Sequence, residues 1–69
     1  MQQVTLYIDV IRTLEIVSEL KRHGWFMGKD FDFAYHQSKW DEMIGEIPKQ
    51  TVFTFYNDSN ASYFMLRWG

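Results

Sequence analysis

The chain contains no cysteine, so no disulfide and no thiolate metal cluster can hold it together, and Cys/His catalysis is excluded. It has one proline and four glycines among its 69 residues, which argues against a disordered or linker-like segment. No apolar run approaches the roughly 20 residues that would span a bilayer. Met1-Gln2-Gln3 is not a basic stretch ahead of an apolar one, so no secretion signal is read there. The expectation is a cytoplasmic protein, in which the sequons at Asn57 and Asn60 are chance. There is no basic excess either. Seven Lys and Arg stand against nine Asp and Glu, for a net charge of −2. Nucleic-acid binders draw most of their affinity from phosphate neutralisation, so this balance disfavours nucleic acid as a partner.

Aromatic residues are abundant by contrast, at 19% of the chain. A chain this short buries only about 60% of its unfolded surface. Each buried aromatic removes about 150–250 Å² from water, so six Phe and three Trp can build a core in one domain spanning residues 1–69. Val4 to Val10 alternates as a half-buried strand, with Val4, Leu6, Ile8 and Val10 inward and Thr5, Tyr7 and Asp9 outward. Asp9 is placed to cap a helix running to about His23. Leu14, Ile16, Val17 and Leu20 form its apolar stripe, and Arg12, Glu15, Glu19 and Arg22 its wet side. Lys21, Arg22 and His23 suit the negative end of the helix dipole, and Gly24 a C-terminal cap.

Trp25-Phe26-Met27-Gly28 reads as an apolar connector tucked under a sheet edge. Asp30 to His36 alternates again, with Phe31, Phe33 and Tyr35 inward. Ser38 and Asp41 resemble a capping box opening a short helix that carries Trp40, Met43 and Ile44 and ends at Gly45. After Pro48, Thr51–Tyr56 and Ser62–Trp68 read as strands joined by the turn-forming residues 57–61. The expected fold is α+β, a four-stranded, mostly antiparallel sheet with one main helix on one face, in the order β-α-β-(short α)-β-β.

In that arrangement Tyr7, Tyr56, Tyr63, Met65 and Arg67 fall on the sheet face away from the helix. These residue types are enriched at interface centres, and one helix cannot cover both faces. The expected role is therefore protein binding, to another protein or to itself. Bases could stack on such a face, but Asp9, Asp30 and Asp32 would repel phosphate. Asp30, Asp32 and His36 share one strand face and are the weak candidates for a hard divalent cation; a solvated, aggregation-resistant edge explains them as well. No catalytic motif, phosphate-binding glycine loop or cofactor signature is present, so the chain reads as a non-enzyme. Trp25, Trp40 and Trp68 read as core filler, with a ligand cage as the alternative.

Gly28 to His36, Lys39-Trp40-Asp41 and Thr51 to Tyr56 together resemble small proteins encoded by tailed bacteriophages. The resemblance covers about the C-terminal two-thirds and carries no active site to transfer. What it implies is an inhibitor that binds and occludes a host protein in the host cytoplasm.

Overall fold

The computed structural model describes residues 1–68. Its elements are β1 (Gln2–Leu6), α1 (Val10–Arg22), β2 (Phe31–His36), β3 (Lys39–Asp41), β4 (Gly45–Ile47), β5 (Gln50–Phe55) and α2 (Asp58–Trp68). The last long strand in sequence is the middle one in space: the three-stranded sheet has the order β1-β5-β2, and β5 is antiparallel to both neighbours. β1 and β2 are therefore parallel to each other with β5 between them, and α1 is the crossover that joins them. The α+β class and the antiparallel sheet are as the alternation implied.

β5 earns the central place by composition. Its β-branched and aromatic residues suit a pleated surface, and Thr51, Phe53 and Phe55 point to one face, where all three are buried. Phe31 from β2 and Phe64 from α2 close on them, and the ring of Phe64 lies 4.8 Å from both Phe53 and Phe55. Ile16, Val17 and Leu20 of α1 and Ala61 of α2 complete the buried cluster.

α1 is fixed at both ends as expected. The Asp9 carboxylate accepts the Arg12 N–H at 2.8 Å, and Asp9 has extended backbone as an N-cap requires. At the other end the Trp25 N–H reaches the Leu20 carbonyl and the Gly24 N–H the Lys21 carbonyl, with Gly24 at φ +90°. That is the Schellman pattern, which needs a left-handed residue at this point. Two details differ from expectation. The strand stops at Leu6, because the cap commits the chain to a helix from Val10. Thr13, not Leu14, joins the buried stripe. Residues 13, 16, 17 and 20 follow the helical period, and the Thr13 hydroxyl can be buried because it is satisfied: it lies 2.8 Å from the Asp9 carbonyl and 2.6 Å from the Thr51 hydroxyl.

Two segments adopt a different element from the one their pattern suggested. Residues 38–45 form no short helix. β3 and β4 pair antiparallel with Lys39 facing Ile47 and Asp41 facing Gly45. Three residues nearer the sheet, His36 faces Gln50, so the β2–β5 register continues unbroken into the β3–β4 pair. Pro48, which has no N–H to give, lies in the gap between the two ladders. The turn is made by the Asp41 carboxylate, which accepts the N–H groups of Met43 and Ile44 at 2.8 and 3.2 Å, and by Gly45 at φ +96°.

The second difference is at the C-terminus, where Ser62–Trp68 is helix instead of strand. Asn57 Oδ1 accepts the Ser59 N–H at 2.8 Å, and Asp58 and Arg67 sit at the ends that the helix dipole favours. Ala61 and Phe64 are buried and Trp68 is half-buried, at helical spacing, while Leu66 is 90% exposed. A strand would have turned Leu66 inward beside Phe64.

The β3–β4 pair projects beyond the sheet as an arm. It gives the molecule extents of 41 × 23 × 21 Å and a radius of gyration of 12.9 Å, against about 11 Å for a typical domain of this length.

Candidate protein-binding surfaces

The five residues expected to share an exposed sheet face do not share one. Register places Gln3, Thr54 and Asp32 side by side across the sheet, and Thr5, Val52 and Ala34 in the next row. These residues form the face opposite the buried phenylalanines, and no aromatic of the three strands lies there. Tyr7 follows β1 and is 69% exposed. Tyr63, Met65 and Arg67 belong to α2, because the segment that carries them is a helix. The Arg67 guanidinium lies over the Trp68 ring at 5.5 Å. The Met65 sulfur is 3.7 Å from the Gln2 amide nitrogen. Tyr63 packs edge-on against His23 and Trp25, with ring centroids 5.6 and 5.7 Å away, and its hydroxyl is 3.4 Å from His23 Nε2.

Tyr56, just after β5, donates a 2.8 Å hydrogen bond to Asp32 Oδ2. That bond, then desolvation, then the carboxylate's charge raise the phenol above its ordinary pKa, since each disfavours the phenolate. The acidic trio is dispersed into separate tasks. The Asp30 carboxylate accepts the Phe26 N–H at 2.8 Å and so closes the loop before β2. Asp32 holds Tyr56, and His36 is exposed at the far end of the strand. Among the described residues no three Asp, Glu or His side chains converge to hold a metal ion.

The tryptophans also divide. Trp25 is half-buried, edge-on to Phe55 at 6.1 Å, and Trp68 lies 5.0 Å from Phe64. Both serve the core. Trp40 is 74% exposed at the end of the arm, beside Met43 at 93% and Ile44 at 75%. Their spacing mimics an amphipathic helix, which hid them in the sequence. The signals that could have found them are Asp41 and Gly45 bracketing a three-residue turn, between two strand patterns of similar length.

A second apolar group lies on α1. Val10, Ile11 and Leu14 lie on one side of the helix and are exposed, and Tyr7, in the connection before the Asp9 cap, is exposed as well. The Thr13–Thr51 contact sets the first turn of α1 over the end of the sheet where Leu6, Thr51 and Tyr35 align. The arm leaves from that same end, one residue beyond Tyr35.

No pocket opens in the described surface. No helix of the described residues is long and apolar enough to cross a membrane. In comparisons with family models, curated proteins and solved structures, nothing matched this chain.

Proposed function

We propose that this chain is a protein-interaction module whose binding element is the β3–β4 arm, acting by association and not by turnover. The observation that carries this reading is the exposure of Trp40, Met43 and Ile44 together at the tip. A two-stranded ribbon is marginal on its own in water, and these side chains bury little of their surface in the free protein. In a partner's groove each Met or Ile would contribute about 1.5–3 kcal/mol on burial, and Trp is among the residue types that dominate interfaces. The bacteriophage resemblance adds what such binding would do, which is to occlude a host protein.

The experiment is capture from host lysate with the tagged full chain, beside a tip variant, Trp40→Ala/Met43→Ser/Ile44→Ser, and a helix variant, Tyr63→Ala/Arg67→Ala. A stoichiometric partner held by the wild type and the helix variant but lost by the tip variant is the expected result. Equal retention by the tip variant would move the binding surface off the arm. Self-association is the second reading, favoured by the exposed stripe on α1.

A further inference from the structure

We propose that the arm is hinged: Gln37, Ser38, Pro48 and Lys49 form a joint on which the β3–β4 ribbon turns as one rigid piece. The inference goes beyond the arm's being a binding element and gives that element an adjustable aim. Three observations support it.

The first is the break in the ladder. The Tyr56 N–H reaches the Asp30 carbonyl, and in an antiparallel pair the facing residues that exchange hydrogen bonds recur at every second step. Along the observed register these are Asp32 with Thr54, Ala34 with Val52 and His36 with Gln50. The next would be Ser38 with Pro48, and proline has no N–H to give. Among the described residues no backbone hydrogen bond joins Gln37 or Ser38 to Pro48 or Lys49, and pairing resumes only at Lys39 and Ile47. The sheet and the arm are accordingly separate ladders.

The second is the lack of a brace. All four residues of the joint are exposed. No apolar residue from 37 to 49 belongs to the core or packs against it. The arm's side-chain hydrogen bonds run from Asp41 to the Met43 and Ile44 N–H groups, inside its own turn. Neither ion pair of the described residues reaches it. Two crossings of the chain carry the arm, with no core contact, ion pair or side-chain hydrogen bond to steady it.

The third is stiffness on either side. β2 and β5 pair from Phe31 to His36, and β3 and β4 pair over their whole length. Proline holds the residue before it to extended backbone, which keeps Ile47 in β4. The torsional freedom is therefore concentrated in the joint, and a few such residues are enough for a hinge. At strand rise Met43 stands about 20 Å beyond His36, so a rotation of about 20° carries the tip about 7 Å. A partner can then set the direction of Trp40, Met43 and Ile44 without disturbing the core.

Residual dipolar couplings of the free full chain test this. Couplings from residues 39–47 should fit one alignment tensor of their own, weaker than that of β1, β2 and β5. Its magnitude should be about three quarters of theirs or less, the square root of the order parameter that marks a flexible segment. Pro48→Val supplies the missing donor and should draw the two tensors together while circular dichroism shows the fold kept. One tensor of full strength for arm and body in the wild type would overturn the hinge, leaving the tip to bind with a fixed aim. Arm couplings that fit no single tensor would overturn the rigid piece. Equal averaging in wild type and Pro48→Val would overturn Pro48 as the break. These couplings belong to the free chain, so a tip variant that still held its partner would remove the binding reading and leave the hinge standing.

Discussion

The body and the arm use the same apolar vocabulary to opposite ends. In the body, Phe31, Phe53 and Phe55 have no solvent exposure, because two helices lie over the face they share, and Phe64, from one of those helices, is buried against them. In the arm, three side chains as apolar as these stand at 74–93% exposure, because the ladder runs on past the last helix. The ribbon is continuous in register from Phe31–Phe55 to Asp41–Gly45, so the difference is one of cover and not of strand chemistry. Burial makes the first set a source of stability. Exposure makes the second a source of affinity.

That division can be broken or sharpened by substitution. Phe53→Ala should cost about 3–5 kcal/mol, which is a large part of the roughly 3–10 kcal/mol expected for a domain of this length. Urea unfolding would register it as a collapse of the midpoint, and a shift no larger than that of a surface mutant would deny Phe53 its central place. Thr13→Val removes the hydroxyl that bridges Asp9 and Thr51 and leaves the Thr51 hydroxyl unsatisfied. The expected cost is about 1–3 kcal/mol, read in the same unfolding experiment.

Gly45→Ala meets no atom within 4 Å, so its cost is backbone strain alone, about 1–2 kcal/mol. Amide exchange should speed up in β3 and β4 and stay unchanged in β5, which would show that the arm opens independently of the body. The smallest effect concerns Tyr56. Its folded-state pKa is raised, so the stabilisation from the Asp32 bond is fully present below the ordinary phenol range near about 10. It is lost as pH rises through the raised value. Tyrosinate absorbance should show Tyr56 ionising at a higher pH in the wild type than in Asp32→Asn.

How legible these two regions were follows from where their information lies. α1 could be read almost to the residue, since Asp9, the basic last turn and Gly24 are local signals that act within one turn. β2 and β5 were legible from alternation, because each buries one face against the same core. The last third was not. Ser62–Trp68 alternates in polarity and also carries Ala61, Phe64 and Trp68 at helical spacing, and only the packing of Phe64 on Phe53 and Phe55 decides between the two periods. The arm failed in the reverse direction, its helical spacing being the accident of a three-residue turn. Both errors displaced the candidate site: Tyr63, Met65 and Arg67 moved to a helix, and Trp40 moved out of the core. Tyr56 and Asp32 were near in expectation, but their hydrogen bond depends on register that no local pattern encodes.

The most direct test of the division between body and arm is to measure stability and association together on Trp40→Ala/Met43→Ser/Ile44→Ser. Exposed positions change stability by about 0.5 kcal/mol or less each. The variant should therefore unfold in urea close to the wild-type midpoint while losing any captured partner. A large fall in the midpoint with association intact would place these three side chains in the core's service and contradict the account.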